Sequence, residues 1–405
     1  MINVNRTFVG NGFWKACFFC MLALWPTLTF SPSIMQVAVW LGLFFYLASL
    51  IARKQKAFFP DRISFYLLMG LLASIMISIT ISDYPKQSFR GLIKVLRQFA
   101  VFFVVFEIYR SQNFRNTWKV LLLASFILLA TDGFYQYFFG VDFLRGFIAN
   151  GSLAGRRISA SFDNYGKLAA YLCAVLPVII GITFQQWKQP GTKRLFWICL
   201  TVMLTGLAML YLTRSRGAFL AFGLAWFFVL IFRRAWKLLV ALLICAVIFV
   251  ALMPRSMIIH LDADNKEQSI VERGELWHRA FDVIKARPLT GTGINTYAVA
   301  HQQFDTRKNW RVKDYYAHNG YLQMAAEIGL PGLIFFIAFI LRWIWIHRPL
   351  GAAQGTEFRW GLLAGVFAFL IFCGADTALH SPQPVLAFWY VLALYGATHP
   401  KNQVT

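Results

Sequence analysis

The sequence predicts an all-α polytopic membrane protein of about 12 transmembrane helices, one transmembrane domain over 1–405 with a large outer loop at 254–317. Three observations carry that reading. The first is composition: of 405 residues, 59% are hydrophobic and 14% charged, and the mean hydropathy is +0.58. A soluble domain carries roughly 25% charged residues, so this chain lacks the polar surface to coat a water-soluble globule. The second is a series of apolar runs near 20 residues, the length of helix that crosses a hydrocarbon core of about 30 Å. The third is that the basic residues fall in short bursts between those runs. The formal net charge of +22 would suggest nucleic acid in a soluble protein. Here no nucleic-acid module is present in the sequence, and Lys and Arg in short loops fix membrane topology instead.

The apolar runs lie near 13–30, 34–52, 63–82, 89–108, 118–138, 167–185, 195–213, 216–232, 237–253, 318–345, 359–376 and 383–398. The first lacks a small-residue cleavage site and leads straight into the second, so it reads as a retained helix rather than a signal peptide. The fourth carries Arg90, Lys94 and Arg97, spaced to share one helix face. A charge facing lipid at mid-membrane costs at least about 2.5 kcal/mol, so that face must look into the bundle or lie near the interface. All six cysteines (Cys17, Cys20, Cys173, Cys199, Cys245, Cys373) fall in apolar runs and read as small hydrophobes without disulfides.

Alternate loops carry Arg53-Lys54-Gln55-Lys56 and Arg62, then Arg110, Arg115 and Lys119, then Lys188, Lys193 and Arg194, then Arg233-Arg234 and Lys237, then Arg348 and Arg359. The positive-inside rule makes that side cytoplasmic and puts both termini there. The long loops near 139–166 and 254–317 then lie outside. They too are basic, with arginine well ahead of lysine, and arginine is the better fork for phosphate. Within the larger loop, Leu276, Trp277, Ala280, Phe281 and Ile284 recur at helical spacing among polar residues. This predicts an amphipathic helix over 270–287 lying on the membrane surface, ended by Pro288 and followed by a tight turn at Gly291-Thr292-Gly293.

Chemistry-bearing residues cluster toward this outer side. Arg214 and Arg216 sit in a short turn between two apolar helices, and Arg216 opens the second. Backbone N–H groups and the macrodipole already favour anions at a helix start, so the pair suits a pyrophosphate just outside the bilayer. His318 lies at the mouth of a membrane helix that is broken at Gly329-Leu330-Pro331-Gly332. The positive end of a helix favours a neutral imidazole, as a general base requires. Asn319 either orients a hydroxyl or caps the helix. Asp376 and His380 lie in the last outer turn, where an acid beside arginines serves to position them. No His/Cys cluster has ligand spacing, so no metal is expected. Without a phosphate-binding loop or a dinucleotide signature, direct use of a nucleotide cofactor is not expected either. That fits an enzyme whose donor is already activated on the outer side.

These residues resemble the O-antigen ligase family of the O-antigen ligase/polymerase superfamily. His318-Asn319, nine residues, then Gly329-Leu330-Pro331-Gly332 matches its H-[NSQ]-x9-G-x-x-G pattern, and Arg216 to Leu220 matches R-x3-L. Arg273-x-x-Leu276-Trp277 followed by Pro288 to Gly293 resembles the family's outer-loop stretch. Arg157 to Phe162 resembles the arginine-led segment before the sixth helix, with Ala160 and Tyr165-Gly166 in place of the more usual Gly and Pro-Asn. The resemblance implies a C-type glycosyltransferase-like architecture without metal, in the bacterial inner membrane with a periplasmic site. It implies transfer of O-antigen glycan from undecaprenyl pyrophosphate to a lipid A–core hydroxyl, with inversion in a single displacement. Arg216 and Arg273 would hold the pyrophosphate and His318 would activate the acceptor. Arg157 and Asp376 are secondary, beside Arg214, Asn319 and Arg279 as substrate-binding residues. An O-antigen polymerase or a protein O-oligosaccharyltransferase would use the same donor. Polymerases often carry R-x10-G, which fails here: Arg156 leads to Lys167, Arg157 to Leu168, Arg273 to Ile284 and Arg279 to Thr290. A non-catalytic polysaccharide or lipid transporter would show inverted repeats, and none is evident.

Overall fold

The computed structural model describes residues 12–53, 59–110, 117–151, 153–189, 191–252, 263–304, 316–349 and 356–402. The architecture is all-α, and among these residues the β content is limited to two isolated bridges, Val141 with Ile148 and Asn150 with Arg157. The helices are α1 (Gly12–Leu22), α2 (Leu24–Phe30), α3 (Pro32–Arg53), α4 (Arg62–Thr80), α5 (Pro85–Tyr109), α6 (Thr117–Phe139), α7 (Tyr165–Trp187) and α8 (Lys193–Thr213). They continue with α9 (Arg216–Phe232), α10 (Trp236–Leu252), α11 (Ala263–Ala286), α12 (Tyr297–Phe304), α13 (Gly320–Ile346), α14 (Thr356–Cys373) and α15 (Pro382–Ala397). Every run expected to span coincides with helix, α1 and α2 together forming the first. Among the described residues seven are long and apolar enough to cross a membrane, and α9 and α10 contain shorter apolar helices.

The bundle is organised around α7 and α15, whose side chains are buried almost throughout. Small residues bring α7 and α14 into close contact, the usual device where lipid gives helices no hydrophobic reason to associate. A Cβ on Gly361 would stand 2.6 Å from the Pro177 carbonyl oxygen, and one on Gly365 only 2.4 Å from that of Ala174. Beside this seam, Phe102, Phe339, Trp343 and Trp389 interlock edge to face and stacked.

Two opposite ends follow from the contacts. At one, Glu357 receives Lys188 and Arg233, Arg342 donates to Asp61, Lys119 covers Phe358, and Arg359 donates to the His347 carbonyl. These joints gather at one end the loops that the sequence groups on one side. At the other, Ser161 reaches the Thr29 carbonyl, Gln383 that of Leu28 and Ser82 that of Thr292. That second end carries the segments richest in chemistry.

The outer-loop helix packs partly on protein. α11 spans the predicted stretch, and Ala280, Val283 and Ile284 are buried with Tyr297, Ala317, Ala325 and Ala326, while Leu276 is buried as well. Trp277 and Phe281, on the adjoining arc, stay exposed. The apolar stripe is wider than the protein contact needs, and only part of it packs on α13.

Candidate functional site

The break in α13 is the local feature that organises this end. Gly329 has φ 73° and ψ 169°, backbone that side chains other than hydrogen resist, and Pro331 has no N–H to continue the helix. The break leaves carbonyls of the preceding turn without intrahelical donors, and the outer loop supplies them. Thr292 N donates to Ala326 O at 3.0 Å and Gly293 N to Glu327 O at 2.9 Å, while Leu330 N turns to Pro288 O at 2.8 Å. The fit needs glycine on both sides. A Cβ on Gly291 would lie 2.3 Å from the Glu327 carbonyl carbon, and one on Gly329 2.3 Å from Leu289 O. The Pro288–Gly293 turn and the Gly329–Gly332 break are therefore two halves of one joint, a pairing that sequence reading treated as separate features.

Below that joint sits Glu327, 1% exposed. Its carboxylate accepts from Asn295 N at 2.8 Å, Tyr297 N at 3.3 Å, Gln323 Nε2 at 3.2 Å and His380 Nε2 at 3.2 Å. Lys94 donates to Asn295 Oδ1 at 2.6 Å. Neither Glu327 nor Lys94 was among the expected site residues. The available signal was an ionisable residue inside an apolar helix, which is a functional hypothesis by default.

At the mouth of α13, Asn319 caps the helix, its side chain accepting from Tyr321 N at 3.0 Å and Leu322 N at 3.1 Å. His318 does not lie in the first helical turn. It precedes the cap with φ 47°, a left-handed conformation that turns it out of the helix path, and it is partly exposed. Gly320 N donates to Asp376 O at 3.1 Å, which ties this mouth to the turn between α14 and α15. The Asp376 carboxylate in turn abuts the start of α7, where a Cβ on Gly166 would be 3.0 Å from Oδ2. Ala375 packs on the start of α9, 3.2 Å from where a Cβ on Gly217 would be.

Arg216 opens α9 as expected, behind the cap Ser215, and is exposed. Arg214 takes the left-handed conformation that ends α8, φ 52°. Its carbonyl accepts from Arg157 Nη2 at 3.1 Å, and the Thr213 carbonyl from Arg157 Nε at 3.4 Å. Arg157 also lies 3.8 Å above the Tyr165 ring. Burial pushes the Arg157 guanidinium below its ordinary pKa; the charges of Arg216 and Arg214 act in the same direction and Tyr165 opposes them. Arginine remains protonated under such a shift, so this corner holds three like charges with mutual repulsion, an arrangement suited to an anion. The α6–α7 loop that presents Arg157 is itself held by Gln136, whose Oε1 accepts from Ser159 N at 2.7 Å and Ala160 N at 2.8 Å. Ala160 has φ 47°, which explains why glycine suits that position.

The structure thus gathers His318, Asn319, Asp376, Arg157, Arg214 and Arg216 at one end, where α7, α9, α13 and α15 all begin. Arg273 and Arg279 lie on α11, which packs beside Ala317. Arg279 is buried at 6% exposure, whereas Arg273 is exposed, with no ion-pair partner among the described residues. No hydrogen bond among the described residues joins Arg273 to the corner built by Arg157 and Arg216.

The family model described as O-antigen ligase matches residues 201–337, from the body of α8 through α13 beyond its break. That stretch contains Arg216, Arg273, Arg279, His318 and both halves of the loop–break joint, and the match supports the O-antigen ligase family for this chain. Members of that family are glycosyltransferase-like enzymes acting on lipid-linked glycans. Comparison with curated proteins gives no match.

Proposed function

We propose that this membrane protein is an O-antigen ligase that transfers O-antigen polysaccharide from undecaprenyl pyrophosphate to a hydroxyl of the lipid A–core, at the periplasmic face of the inner membrane. The observation that carries the reading is the convergence of His318, Asp376, Arg157 and Arg216 from four separate elements at the end where four helices begin. Those N-termini turn positive dipole ends toward this corner, which favours a diphosphate even where their first N–H groups are already capped by Asn319, Asn164 and Ser215.

The chemistry follows from charge. The acceptor hydroxyl oxygen forms a bond to the anomeric carbon as the bond from that carbon to the diphosphate oxygen breaks. The hydroxyl proton goes to the neutral imidazole of His318, and the electron pair of the broken bond leaves with the diphosphate. Arg216 and Arg273 stabilise the charge that develops there, which fixed cations do best in a partly dry site. Arg157 and Arg214 extend the same field, Asp376 orients this cationic corner through the starts of α7 and α13, and Arg279 steadies the lid helix that bears Arg273. A single displacement inverts the anomeric centre.

The test is joining in vitro with purified protein, undecaprenyl-linked glycan and lipid A–core. Glycan appearing on the lipid A–core supports the ligase. Glycan units joined only to one another would identify a polymerase instead. Joining that survives His318→Ala would remove the histidine from the mechanism.

A further inference from the structure

The cationic face of α5 plays no part in the reaction described above. Arg90 is exposed, Lys94 half-buried and Arg97 only 4% exposed, so the stripe runs inward over about 10 Å of helix. Lys94 is engaged by Asn295. Arg97 has no hydrogen-bond acceptor among the described residues, and its Nε is enclosed without one. The carboxylate acting electrostatically on Lys94 is Glu327, which already takes four donors of its own. The stripe therefore has more buried positive charge than the protein around it neutralises, and an unpaired buried guanidinium is costly to hold.

The adjoining arc of α5 is apolar and outward: Phe89 is 59% exposed, Ile93 39% and Leu96 39%. The cations thus lie on the boundary between the lipid-facing and bundle-facing sides of one helix. Such a surface suits an amphiphile, whose anionic head can meet the cations while its apolar tail lies along Phe89, Ile93 and Leu96. Guanidinium forks favour phosphate oxygens in particular. Through Asn295 the stripe is continuous with the loop that docks into the α13 break, which relates it to the candidate site rather than to the general bilayer.

We propose that Arg90, Lys94 and Arg97 form a second anion groove that receives the phosphate head of a polyprenyl diphosphate from the lipid side. This rests on the function proposed above and adds to it a path for the lipid carrier. The test uses the purified full chain in detergent and measures binding of undecaprenyl diphosphate, undecaprenol and phosphatidylglycerol. Arg97→Met should raise the Kd for undecaprenyl diphosphate about tenfold or more, the loss expected for a charge-assisted contact. Undecaprenol binding should not change, and Arg97→Lys should restore part of the affinity. Thermal stability without ligand should stay level or rise, because an unpaired buried charge is removed. Undiminished diphosphate binding by Arg97→Met overturns the groove. Should that variant fail to fold, the exposed Arg90→Ala carries the test: it must weaken binding by about threefold or more, and unchanged binding overturns the groove. Equal binding of phosphatidylglycerol with the same Arg97 dependence would assign the groove to bilayer headgroups and overturn the carrier. Failure of the wild-type protein to bind any diphosphate would instead sink the proposed function itself.

Discussion

His318 combines two properties that a single substitution can separate. Its backbone is left-handed, φ 47°, and its ring is the group proposed to take a proton. Left-handed backbone costs a non-glycine residue roughly 1–2 kcal/mol, so His318→Gly should leave thermal stability equal or slightly higher while abolishing glycan joining. Retained joining in that variant would show that the loop shape, not the imidazole, is what matters. The arginines divide differently. Arg216 is exposed at the start of α9 and Arg273 exposed on α11, so neither supports packing, and Arg216→Ala and Arg273→Ala should each insert normally yet lose about 100-fold or more in kcat, the order expected for a lost charge-stabilising contact. Wild-type rates in Arg273→Ala would separate α11 from the chemistry and leave the corner of Arg157, Arg214 and Arg216 to hold the diphosphate alone. Proton transfer to histidine and charge stabilisation by guanidinium need no Lewis acid. Joining should therefore proceed at full rate in excess chelator, and loss of activity that added divalent metal restores would contradict the mechanism.

The loop–break joint makes its own prediction among the elements. Gly291→Ala and Gly329→Ala each set a methyl carbon within about 2.3 Å of opposing backbone and place a side chain at φ 65° or 73°. Backbone cannot yield as a flexible side chain can, so each should cost at least about 2 kcal/mol, read as a lowered melting temperature together with reduced joining. A double variant should lose less than the sum, because both substitutions open the same joint. How much of this was legible in the sequence can be stated residue by residue. The helices were, because an apolar run near 20 residues has one solution in lipid. Gly291, Gly293 and Gly329 were legible as breaks, because only backbone constraints explain glycine there. Their mutual docking was not, since hydrogen bonds between segments some 35 residues apart leave no periodic trace. Glu327 was legible in principle as a carboxyl in an apolar helix, but its partners, three of them from other segments, appear only when those segments meet. The amphipathic stripe of α11 was legible as apolar, but that part of it packs on α13 was not, because periodicity reports an apolar face and is silent about what covers it.

For the whole molecule, the two ends differ in how they handle positive charge, and the orientation proposed for the chain rests on a separate count. At the end joining α7 to α8, α9 to α10 and α13 to α14, the basic residues are engaged: Lys188 and Arg233 with Glu357, Arg342 with Asp61, Arg359 with the His347 carbonyl. At the other, Arg157, Arg214 and Arg216 repel one another around a corner with no carboxylate paired to Arg157 or Arg216 among the described residues. The positive-inside rule counts charges in short loops, whatever they pair with, and by that count the first end is cytoplasmic. The second end is basic as well: Arg157 lies on a long loop, which the rule does not count, while Arg214 and Arg216 in the short α8–α9 turn count against this orientation and are outnumbered by the basic residues of the five loops at the first end. Leu153, 52% exposed, and Gln189, also exposed, report the two sides. In a background lacking the six native cysteines, Leu153→Cys should react with a membrane-impermeant maleimide in intact spheroplasts, and Gln189→Cys only after permeabilisation. The reverse pattern would turn the histidine and arginines toward the cytosol, where a periplasmic acceptor could not reach them.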